Sequence, residues 1–164
     1  MMGSVGDIMT RAVVSVSPAD TIATVARLLA HNRISSVPVC DAEGCLLGIV
    51  SEGDLLRPFG EARSLRREWW LDRLAEDTEL TAEFLGYLHN DQRPIRDLMT
   101  TVVHSASEDT PTAKAADLML RQHVARLPVL RGAKVIGIVS RADLVRAFLG
   151  TGRPARKPKI RIGQ

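Results

Sequence analysis

Apolar and polar positions along this chain form two similar series separated by a stretch of different character. In the first series Ile22, Val25, Ala26 and Leu29 recur at i, i+3, i+4 and i+7, the stripe of an amphipathic helix. Two apolar runs follow, Val37 to Cys40 and Cys45 to Val50, and the DAEG between them reads as the turn of a hairpin. The second series keeps this order. Its helix opens with Thr110 as N-cap and Pro111 at the first helical position, where a missing N–H costs nothing. Its strands run from Leu127 to Leu130 and from Val135 to Val139 around Arg131-Gly132. A short extended piece, AVVSVS or TVVHSAS, precedes each helix, and a further helix starts at Ser51 or Ser140. Each series therefore predicts β-α-β-β-α, and the fold class is α+β.

The two series are copies. DIMT at Asp7 returns as DLMT at Asp97, ISSVPV at Ile34 as VARLPV at Val124, and GIVSEGDLL at Gly48 as GIVSRADLV at Gly137. The expected organisation is a first unit over 1–59, a helical insertion over 60–93, a second unit over 94–150 and a basic tail over 151–164. One such unit would leave a large apolar face in water, whereas two can cover each other. A pseudo-two-fold pair with a cleft along its seam is the expected product.

The repeated Ser-x-x-Asp admits two readings. Ser51 with Asp54, and Ser140 with Asp143, have the spacing of a capping box that closes a helix start and favours its dipole. The same residues could instead bind a ligand, since a helix N-terminus offers oriented N–H groups and a carboxylate accepts hydroxyl protons.

The linked motifs, present twice, resemble the CBS domain, and the two copies are similar to a CBS pair, or Bateman module. The resemblance implies a regulatory module without catalytic chemistry, binding AMP, ADP or ATP, with NAD and S-adenosylmethionine as further adenosyl candidates. It implies that Asp54 and Asp143 hold ribose hydroxyls and that Ser51 and Ser140 lie near ribose or phosphate. By the same resemblance Ile34, Ser36, Val37 and Pro38, and Val124, Arg126, Leu127 and Pro128, meet adenine or its neighbours, with Val103 and His104 in the second unit beside them. The second unit has Arg126 where the first has Ser36 and Arg141 where the first has Glu52; guanidinium groups suit phosphate, so the second site is the better nucleotide site. The resemblance also implies a homodimer, with the contact expected near Ile22 to Leu29 and Leu144 to Leu149 and including Trp69 or Trp70.

Composition narrows the alternatives. The 164 residues are 45% hydrophobic and 25% charged, an ordinary globular balance. The net charge of +3 divides into −2 for 1–59, −3 for 60–93, +3 for 94–150 and +5 for 151–164. No apolar run reaches the roughly 18 residues of a membrane span, no signal pattern is read at the N-terminus, and a cytoplasmic location is expected. Cys40 and Cys45 flank a turn, and in a cytosolic chain such thiols are expected to stay reduced. His31, His89, His104 and His123 have no metal-ligand spacing, and no nucleophile comes with a base, so neither a metal site nor an enzyme is expected. The insertion, with Trp69, Trp70 and Tyr87, reads as two amphipathic helices for a protein contact and is similar to the linker of bacterial proteins that join a CBS pair to a BON domain. The tail GRPARKPKIRIGQ lacks the aromatic interleaving of a nucleic-acid reader and reads as flexible. The main rival to nucleotide sensing is a dimerisation scaffold in which both Ser-x-x-Asp stretches are only caps.

Overall fold

The repeats fold as alternating helices and strands, but each recruits the leading segment of the other. The structure, a computed structural model, describes residues 3–55 and 90–151. In chain order the elements are α1 (Val5–Ile8), α2 (Ile22–Asn32), β1 (Ser36–Cys40), β2 (Leu46–Ser51), a 3-10 turn (Ile95–Asp97), β3 (Ala106–Ser107), α3 (Thr112–Arg121), β4 (Arg126–Arg131), β5 (Lys134–Ser140) and α4 (Arg141–Phe148). The four hairpin strands are present to within a residue at each end, whereas the leading extended pieces shrink to a single bridge at Val16 and to the two residues of β3; the class is α+β. The insertion and the tail, including Trp69 and Trp70, lie outside the described residues.

Packing divides the chain into two units. The unit around Asp54 contains 16–39, 48–55 and 90–101; the unit around Asp143 contains 3–15, 40–47 and 102–151. Sequence repeats and packing units are thus different partitions of the chain.

In the Asp54 unit, Thr21 caps α2 by accepting from the Thr24 N–H at 3.2 Å, and α2 buries Ile22, Ala23, Val25, Ala26, Leu28 and Leu29. Those side chains face the paired strands β1 and β2, where Val37, Val39 and Val50 are buried. Val16 adds a parallel bridge to Val39. The segment after the insertion completes the unit: the Ile22 N–H donates to Arg93 O at 2.9 Å, Ile95 to Asp20 O at 2.7 Å, and Thr100 and Ile49 exchange both main-chain bonds at 2.9 Å. The apolar stripe of α2 is therefore already buried inside its own unit.

In the Asp143 unit, β3 runs parallel to β4 and β4 antiparallel to β5. The core joins Ala106, Ala115, Met119, Leu127, Val129, Val139 and Leu144 with Val5 and Met9 from the N-terminal segment. The main chain ties that segment in: Val5 N–H donates to Thr110 O at 2.8 Å, and Thr10 and Ile138 exchange bonds at 2.8 and 3.0 Å. Helix α3 starts one residue later than its sequence suggests. Thr110 closes the turn after β3 by accepting from the Ser107 N–H at 3.0 Å, Pro111 takes the N-cap position, and the Thr112 N–H is satisfied by Gly3 O at 3.1 Å. A tertiary acceptor replaces the side-chain cap.

Gly137 and Gly48 owe their identity to this exchange. A Cβ on Gly137 would lie 2.4 Å from Met9 Sδ and 3.2 Å from Thr10 O; on Gly48 it would lie 2.8 Å from Met99 Sδ and 2.9 Å from Thr100 O. The Met-Thr of each leading motif crosses the glycine of the repeat it joins.

Candidate nucleotide site at the cap of α4

Strand β5 ends at Ser140, which becomes the N-cap of α4, so the site begins where extended backbone turns helical. The capping box is complete: the Asp143 N–H donates to Ser140 Oγ at 3.2 Å, and the Ser140 N–H and hydroxyl donate to Asp143 Oδ2 at 2.8 and 2.7 Å. Asp143 is buried, and Arg146 Nη2 donates to its Oδ1 at 2.5 Å.

Antiparallel register places Arg126 directly opposite Ser140. Side chains of directly paired residues project from one face, so the pairing brings the Arg126 stem to the cap. Arg141 is exposed at the first helical position; its Nε donates to Val124 O at 3.1 Å, which folds its stem back over the segment before β4. Arg126 and Arg141 thus belong to the segments that flank the helix start where Asp143 is buried.

The helix-start amides can be followed one by one. The first N–H groups of a helix have no intrahelical acceptor. Arg141 N–H donates to Ala125 O at 3.0 Å and Asp143 N–H to the Ser140 hydroxyl, which leaves the Ala142 amide for a ligand. The Asp54 unit repeats the arrangement. Glu52 N–H donates to Ser35 O at 2.9 Å, Asp54 N–H to Ser51 Oγ at 3.3 Å, and Ser51 returns two bonds to Asp54 Oδ2 at 2.9 and 3.2 Å. Here Oδ1 accepts from Thr100 Oγ1 at 3.2 Å.

The remaining sequence candidates separate by depth. Val37 and Leu127 are 0% exposed and Ile34 is buried, so these three belong to the core of their units. Pro38 and Pro128 are also buried, while Ser36, Val103, His104 and Val124 are half-buried and open to contact. Ser51 and Asp54 gather in one unit, and Arg126, Ser140, Arg141 and Asp143 in the other. Thr100 and Arg146 were missing from the sequence reading. The signal was present, since each D-x-M-T ends in Thr and each Ser-x-x-Asp is followed three residues later by Arg57 or Arg146.

Cys40 and Cys45 are thiols; burial pushes the Cys40 thiol up from its ordinary pKa, against a lowering hydrogen bond with Ser15. Among the described residues no group of three His, Cys, Asp or Glu side chains could hold a metal ion, and no helix is long and apolar enough to cross a membrane.

A repeated helix–hairpin unit with a capped Ser-x-x-Asp after each hairpin defines a class, and the comparison with known families agrees. The CBS domain model matches residues 5–61 and 95–150, and the chain belongs to the CBS-domain family. It is 36% identical over 151 residues to the MJ1426 protein of Methanocaldococcus jannaschii, covering 87% of this chain and 89% of that one. It is 32% identical to the chloroplastic CBS domain-containing protein CBSX1 of Arabidopsis thaliana, over 89% of this chain and 64% of the relative. Among solved structures, CBSX2 in complex with AMP superposes with a TM-score of 0.67 at 30% identity, covering 90% of this chain and 97% of that one.

Proposed function

We propose that this protein is a regulatory module, not an enzyme, that binds an adenosine-containing nucleotide at the cap of α4. The observation that supports this reading is the Arg126–Ser140 pairing, which sets Arg126 opposite the helix start where Asp143 is buried. Asp143 accepts ribose hydroxyls, the Ala142 amide with Arg126 and Arg141 receives phosphate, and half-buried Val103, His104 and Val124 offer surface to the base. The AMP bound by the similar CBSX2 supports the ligand class. Ser51, Asp54 and half-buried Ser36 form a second site, without the arginines, suited to a less charged adenosyl ligand.

Thermal-shift screening with AMP, ADP, ATP, NAD and S-adenosylmethionine tests the reading, because a ligand that binds only the folded chain raises its stability. Asp143→Ala is expected to weaken nucleotide binding about tenfold or more, and Arg126→Ala to penalise ATP and ADP more than adenosine. Unchanged calorimetric affinity in Asp143→Ala, with only a lower Tm, would make the motif a cap alone.

A scaffold without ligand is the second reading, favoured by the exposed Leu120, Val145, Phe148 and Leu149 on α3 and α4. The last three follow i, i+3, i+4 spacing on α4, and we assign the homodimer contact to this face. Light scattering that finds a monomer at micromolar concentration rejects the dimer. A cytoplasmic location fits two reduced thiols and an adenine nucleotide; fractionation of the native cells tests it.

A further inference from the structure

The Asp143 carboxylate is nearly saturated before any ligand arrives. An ionised carboxylate offers about four acceptor positions, two on each oxygen. Ser140 fills both positions on Oδ2 through its N–H and its hydroxyl, and Arg146 Nη2 takes one on Oδ1. One acceptor position remains, whereas a ribose brings two vicinal hydroxyl donors.

The two sets of bonds are not equally easy to release. Those from Ser140 close the start of α4, so giving them up would uncap the helix. The bond from Arg146 joins residues three apart on one helix face, and the Arg146 side chain is 34% exposed against 6% for Asp143. Rotation about the side-chain bonds carries such a guanidinium into water without moving the backbone.

We propose that Arg146 is a specificity-determining residue that competes with ribose for Asp143 Oδ1 and leaves it when a nucleoside with both hydroxyls binds. The proposal rests on the reading of Asp143 as the ribose acceptor. Arg146 restrains binding of the neutral nucleoside, because its ion pair must open first. It also keeps the buried carboxylate paired while the site is empty, which prevents an uncompensated charge.

Calorimetry on the full chain tests this with adenosine and 2′,3′-dideoxyadenosine, two neutral probes that differ only in the hydroxyls. Arg146→Ala is expected to bind adenosine about tenfold more tightly than the parent and the dideoxy analogue within about twofold of it. Arg146→Lys, which keeps a cation in reach of Oδ1, is expected to return adenosine affinity toward the parent value. In an Asp143→Ala background the gain from Arg146→Ala should vanish, since the two residues act on one another. Thermal melting of each variant verifies that it is folded. Weaker or unchanged adenosine binding in Arg146→Ala, or an equal gain for the dideoxy analogue, overturns the proposal. If Asp143→Ala loses adenosine while Arg146→Ala matches the parent, only the competition is rejected. If the parent does not bind adenosine, or Asp143→Ala binds it equally well, the ribose role of Asp143 falls and the competition with it.

Discussion

Thr100 donates its hydroxyl hydrogen to Asp54 Oδ1 at 3.2 Å across 46 positions of sequence. Asp54 is buried, and Thr100 belongs to the segment that follows the insertion, so this bond ties the leading motif of one repeat to the carboxylate of the other. Thr100→Val keeps the shape and removes the donor. The expected cost is about 1.5–3 kcal/mol in denaturant unfolding, the range for a hydrogen bond to a charged acceptor. No loss of stability would show that the bond does not hold the segment.

Alanine at the two crossing glycines should destabilise the fold unequally. At Gly137 the nearest clash is with the flexible Met9 side chain, whereas at Gly48 the main-chain oxygen of Thr100 also lies within 2.9 Å of the added Cβ. Overpacking costs roughly 1–3 kcal/mol, and Gly48→Ala belongs at the upper end. Chemical denaturation of both variants checks the order; Gly137→Ala as the more damaging change would contradict it.

Helices α2 and α3 are both followed by a non-glycine residue in the left-handed region, Arg33 at φ 52° and His123 at φ 53°. Glycine is the usual residue there because it has no Cβ to meet the carbonyl. Replacing His123 by Gly is expected to raise stability by about 0.5–1 kcal/mol, measured as a higher Tm, with Arg33→Gly acting in the same direction. A fall in Tm would indicate that the native side chains make stabilising contacts larger than the backbone strain.

Glu108 links three parts of the Asp143 unit, accepting from Arg131 at 2.5 Å and from Arg11 at 3.0 Å. Arg131 first and Arg11 second hold its carboxyl below the ordinary carboxylate range. A folded pKa below the unfolded one adds stability that is fully present above the unfolded value, about 4.3, and disappears as pH falls through the folded pKa. Parent and Glu108→Gln should therefore differ in stability at neutral pH and converge in acid. Added salt should narrow the neutral-pH gap, because the cluster is at the surface. A pH-independent gap would assign the difference to something other than ionisation.

Much of the molecule was legible from local pattern. The α2 stripe, the two hairpins and the repeated Ser-x-x-Asp report interactions within a few residues, and the structure forms them nearly where the sequence puts them. The capping reading of that motif is met in full, because the Ser140 and Asp143 amides are both engaged in the box while Oδ1 is held by Arg146.

Partner choice was decided only in three dimensions. DIMT and DLMT carry the same apolar spacing, as do the two repeats they could join, so periodicity holds no information about which goes with which. Packing sends Met9 to the core with Gly137 and Thr100 to Asp54, and it buries the apolar stripe of α2 within its own unit. The Arg146–Asp143 pair, three apart on one helix face, is by contrast a local pairing. Local sequence determined the elements and their caps because those depend on nearest neighbours along the chain. Tertiary structure decided the pairing of segments and the Thr100 bond on Asp54 because those depend on groups meeting from distant positions.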